Sequence, residues 1–75
     1  MEPLEFGDLL MRRRPRLEAI AARLVDDDQV AGAVVRRVLA ETWRARNMLA
    51  SEIDMDAYLY IRFRSVLRAR GGAGP

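Results

Sequence analysis

The chain has 75 residues, room for one small domain. It contains no Cys and no His, which excludes disulfides, thiolate chemistry, histidine bases and nearly every zinc site. All 13 basic residues are Arg, and they are spread unevenly: residues 1–35 carry five Arg and seven acids, a net of −2, and residues 36–75 carry eight Arg and four acids, a net of +4. A basic C-terminal half suits an anionic partner.

The pattern predicts three helices and two breaks. The opening "MEPLEFGDLL" lacks the basic and apolar regions of a signal peptide. No apolar run approaches the roughly 18 residues of a membrane span. A cytoplasmic protein without a membrane partner is expected. The first helix is expected from about Glu5 to Val25, with Asp8 as a cap and Leu9, Leu10, Leu17, Ile20, Ala21 and Leu24 at helical spacing. Pro15 lacks an N–H and crowds the preceding turn, so a kink or a restart is expected there.

Asp26, Asp27 and Asp28 end this helix and open the next. Acids favour a helix N-terminus, and Asp26 with Gln29 three residues on resembles a capping box. Without further oxygen ligands the triplet makes no metal site. The second helix is expected from about Gln29 to Met48, with a core stripe of Val30, Val34, Val35, Val38, Leu39, Thr42 and Trp43. Trp43 reads as a core anchor. Ala33, Arg36, Arg37, Ala40, Glu41 and Arg44 form the opposite face. "NMLASEID" is the second break, with Ser51 or Asp54 as the next cap.

The third helix is expected from about Asp54 to Arg68 or Arg70, with Leu59, Phe63, Val66 and Leu67 within about a 100° arc. Arg62, Arg64, Arg68 and Arg70 make its exposed side basic, and Tyr58 and Ile61 lie among them. "GGAGP" follows as a flexible tail. The expected fold is therefore all-α, a three-helix bundle over residues 1–70 with a tail at 71–75. Its expected core is Leu17, Ile20, Leu24, Val34, Val35, Val38, Leu39, Trp43, Leu59, Phe63 and Val66.

"LLMRRRPRLEAIAARLVDDDQVAGAVVRRVLAETWRAR" followed by "MDAYLYIRFRSVLRAR" resembles region 2 of bacterial sigma factors of the extracytoplasmic-function type. The likeness spans about residues 8–70. It is carried by Arg14-Pro15-Arg16-Leu17, the acidic turn Asp26 to Asp28, Trp43-Arg44, and Tyr58-Leu59-Tyr60 followed by arginines. The resemblance implies a helix that grips the RNA polymerase clamp through a "D-L-V-Q-E" stretch. It also implies a third helix that melts and reads the promoter −10 element. Here that stretch falls on Ala33, Val34, Val35, Arg36 and Arg37. The two apolar positions are kept, Asp becomes Ala, and Gln and Glu become Arg. The family implies that the clamp surface meeting this patch is basic, so the exchange converts attraction into repulsion. A stand-alone region-2-like chain of this length, lacking the region 4 that reads the −35 element, is not expected to act as an ordinary sigma factor.

Three functions compete at this level. The first is a transcription-associated binding module with a charge-reversed face of Arg36, Arg37, Glu41 and Arg44. Its partner would be RNA polymerase, a sigma or anti-sigma-type factor, or a second copy. The second is DNA binding through Tyr58, Tyr60, Arg62, Arg64 and Arg68, with rings stacking on unpaired bases and arginines on phosphates. The third is a structural homodimer burying Tyr58 and Ile61. Catalysis is not expected, because Ser51 and Ser65 have no His or Lys to activate them. No cofactor, metal or small-molecule substrate is expected.

Overall fold

A computed structural model describes residues 1–71 of the chain. Three helices follow one another: α1 (Pro3–Leu24), α2 (Asp28–Arg44) and α3 (Glu52–Gly71), with a 3-10 turn at Arg46–Met48 between the last two. There is no strand among the described residues, and none of these helices is long and apolar enough to cross a membrane. The expected helical bundle is therefore present. Gly71 closes α3, and the rest of the expected tail, 72–75, lies outside the described residues.

Local chemistry explains the boundaries. Pro3 stands at the first position of α1, where its missing N–H costs nothing. The helix thus begins before the expected start, and Asp8 lies inside it instead of capping it. Pro15 also lies inside one continuous helix, so there is no restart. Proline deprives the Met11 carbonyl of its helical donor, but Leu10 and Leu17, two turns apart, are both buried and hold the two halves to the same core.

The cap of α2 is Asp27, not Asp26. Asp27 Oδ1 accepts hydrogen bonds from the backbone N–H groups of Gln29 (2.8 Å) and Val30 (3.3 Å). Its extended backbone turns the side chain onto these orphan donors. Ser51 caps α3 by accepting the Asp54 N–H at 3.1 Å. The helix therefore starts ahead of Asp54.

The core is assembled from Phe6, Leu10, Leu17 and Ala21 of α1, a stripe from Ala31 to Leu39 of α2, and Met55, Leu59, Phe63 and Val66 of α3. Helix α2 packs on both neighbours more extensively than they pack on each other. Thr42, fully buried, donates its hydroxyl proton to the Val38 carbonyl at 2.8 Å, which satisfies its polar atom. Leu67, Ile20 and Val30 are half-buried at the edge.

Two expected core residues lie elsewhere. Leu24 is 66% exposed, at the last residue of α1. Trp43 is 38% exposed. Its ring lies over the N-terminal end of α1, tilted 56° to Phe6 with centroids 6.1 Å apart. A Cβ on Gly7 would come within 3.7 Å of it. The Arg46 guanidinium covers the ring from outside at 4.2 Å, and also donates to the Trp43 carbonyl at 3.0 Å. The ring is a partly wet cover, and Phe6 beneath it is the buried aromatic, 1% exposed.

Two polar clamps tie α3 to its neighbours. Arg13 of α1 donates from Nε and Nη2 to the two carboxylate oxygens of Asp56 at 2.9 and 3.1 Å, and from Nη2 to Glu52 at 3.1 Å. The hydrogen bond to Asp56, reinforced by both acids' charges, raises the Arg13 pKa above its ordinary value despite opposing desolvation. Arg62 of α3 spans both oxygens of Glu41 of α2 at 3.0 and 3.1 Å.

This packing orders two pairs of substitutions. Phe6→Ala should cost about 3–5 kcal/mol, the range for emptying a buried aromatic site, and Trp43→Ala about 2 kcal/mol, since much of the indole already faces water. Urea unfolding followed by circular dichroism checks this, and the reverse order would refute the assignment of Phe6 as the anchor. Asp27→Ala should cost roughly 1 kcal/mol and Asp26→Ala less than about 0.5 kcal/mol. Midpoints of the same curves, read at unchanged slope, separate the two.

Candidate functional site

The outward side of α2 is built from spacing. Ala33, Arg37, Ala40 and Arg44 follow one another at four, three and four residues, so they form one crest opposite the buried stripe. The two alanines leave the crest low, and the guanidinium groups of Arg37 and Arg44 stand on it two turns apart. Arg36 is exposed on the shoulder nearer α1, where its Nη1 lies over Gly32, 3.2 Å from where a Cβ would stand. This glycine gives the arginine room to lie along the helix.

Glu41 occupies the opposite shoulder, facing α3. Its side chain is only 19% exposed, and both its oxygens hold Arg62. Arg37 Nε lies 3.7 Å from the same carboxylate, across one turn, with more than half of the Arg37 side chain exposed. A pair of that length and exposure is worth a few tenths of a kcal/mol at most. One negative charge thus stands between two arginines, and Arg62 has the shorter contacts. Of the four residues expected on this face, Arg36, Arg37 and Arg44 point outward, and Glu41 belongs to the seam between α2 and α3.

The five residues expected to meet nucleic acid do not share one surface. Arg62 faces α2, and Tyr58, one turn earlier, lies half-buried on that flank. Tyr60, Arg64 and Arg68 line the other flank, towards α1. Ile61 is 68% exposed between them, so it covers no part of the core.

Sequence reasoning missed the α1 side of that second flank. Arg12, Arg16, Ile20 and Leu24 recur at every fourth residue, which sets them on one line of α1. Arg12 and Arg16 border a depression with Arg13, Asp56 and Tyr60. Ile20 and Leu24 continue into an apolar groove shared with Val25, Phe63 and Leu67. The four-residue period was legible in the sequence. Ile20 and Leu24 are apolar, and the pattern alone assigns them to the core.

Among the described residues no group of three acidic side chains lies close enough to hold a metal ion. The arrangement offers charged and apolar surface for binding. Compared with protein-family models, curated proteins and solved structures, the chain matches none.

Proposed function

We propose that the chain is a cytoplasmic, transcription-associated binding module resembling sigma factor region 2, with a partner-binding face of reversed charge on α2. One observation carries this reading: Arg36, Arg37 and Arg44 stand on the outward side of α2, directly behind the buried Val34, Val35, Val38 and Leu39. The fold-determining positions and the docking positions are separate, so the docking charge can change without cost to the core. A surface bearing three guanidinium groups, with its nearest acid held by Arg62, is complementary to an acidic protein surface. It repels the basic clamp that the resemblance implies for the ordinary family. Val34 and Val35 stand where the family's stretch has its apolar pair; Ala33, Arg36 and Arg37 stand where it has its polar residues.

The test is to restore the family's charge. Wild type should show background binding to immobilised core RNA polymerase, and the variant Ala33→Asp, Arg36→Gln, Arg37→Glu should bind measurably. Circular dichroism should be closely similar for both, because Arg36 and Arg37 are exposed and the half-buried Ala33 stands on the side away from the core stripe. Arg36→Glu with Arg37→Glu should, in turn, abolish the wild type's capture of its acidic partner from an extract. If wild type binds the polymerase as tightly as the restored variant, the charge-reversed face has no role in partner choice.

A further inference from the structure

A second surface lies apart from the α2 face, between α1 and α3. At their C-terminal ends α1 and α3 leave an open groove floored by Ile20, Leu24, Val25, Phe63 and Leu67. Leu24 stands in it 66% exposed, an arrangement that leaves apolar surface in water. Arg64 and Arg68 rim the groove on α3. Arg12 and Arg16 continue the positive edge along α1, beside Tyr60. Among the described residues none of these four arginines has an ion-pair partner. The acid that borders the same seam, Asp56, is held by Arg13 at 2.9 and 3.1 Å.

We infer that this groove docks an amphipathic helix of a partner protein, with apolar residues on its inner face and Asp or Glu along its flanks. The seam lies between two helices, and a third helix laid along it buries anchors at every third and fourth residue. From Arg12 to Leu24 the α1 edge is about 18 Å long at 1.5 Å per residue, which accommodates roughly three helical turns. Charge selects the occupant. A second copy would bring a like basic rim against this one, which opposes self-association through the groove. Nucleic acid would find an aliphatic floor, with Phe63 only 3% exposed and Tyr60 the one ring at the surface. Single-strand binding relies on accessible aromatic faces. An acidic helix matches both floor and rim.

The probe is a fluorescein-labelled synthetic peptide of about four turns, with leucines on one face and glutamates on both flanks, titrated against the full chain by anisotropy. It should bind saturably, whereas a scrambled peptide and a lysine-flanked twin should not. Leu24→Ser should weaken binding about tenfold without unfolding the chain, because the side chain is largely exposed. Arg64→Glu with Arg68→Glu should weaken it at least as much and transfer the preference to the lysine twin. Amide shifts on binding should centre on Ile20, Val25 and Leu67. No saturable binding of the glutamate peptide overturns the inference, as does equal binding of the scrambled one. A single-stranded oligonucleotide that displaces the peptide would assign the groove to nucleic acid instead. A dimer that Leu24→Ser dissociates would assign it to a second copy.

Discussion

The whole domain depends on burying one side of α2. Valine is a mediocre helix former, because its branched Cβ loses rotamer freedom against the preceding turn. A helix with Val30, Val34, Val35 and Val38 on one face has little stability of its own and persists because α1 and α3 cover that face. The larger Phe6, Leu59 and Phe63 of the neighbouring helices are buried in the same core. Each remaining feature serves this burial. Asp27 and Ser51 set where α2 and α3 begin. Arg13 and Arg62 fix α3 against its neighbours: Arg13 holds the two oxygens of Asp56 in a fork from Nε and Nη2, whose planar geometry constrains rotation better than a point charge would, and Arg62 holds both oxygens of Glu41 from Nη2 alone.

What periodicity reveals is which side of a helix faces inward, and on that count the sequence was informative. Leu17, Val34, Val35, Val38, Leu39, Leu59, Phe63 and Val66 are all buried where their spacing put them. Periodicity does not reveal how far a neighbouring element reaches. Leu24 follows Leu17 by two turns on the same side, yet it is exposed because the chain turns away just beyond it. The same blindness hides Phe6 and Met55, which fall in the first turns of the expected first and third helices and outside the expected core. Phe6 is covered by Trp43 from the C-terminal turn of α2, and Met55 is buried in the same core. Trp43 faces the expected direction, but its ring lies over Phe6 and Gly7 at the surface instead of within the core.

Ion pairing was the least legible layer. Glu41 and Arg62 are 21 residues apart in sequence and are expected on two different functional faces, yet they bind each other. Arg13, in a run of three arginines with nothing to single it out, is the one that meets Asp56 and Glu52. Such pairs depend on the rotation of whole helices about their axes. The structure therefore removes Glu41 and Arg62 from the residues free to bind a partner, and leaves Arg36, Arg37 and Arg44 on one side and Arg12, Arg16, Arg64 and Arg68 on the other.

The position of Trp43 has an optical consequence. It is the sole indole of the chain, and it sits where the last turn of α2 crosses the first turns of α1, under a guanidinium and beside a phenyl ring. Its emission therefore reports on that crossing. The α1–α3 groove opens at the far end of α1, so occupation there leaves the indole's surroundings unchanged, whereas separation of α1 from α2 hydrates the ring fully and shifts its spectrum to the red. The molecule carries its own fluorophore for distinguishing a ligand that docks from one that pulls the bundle apart.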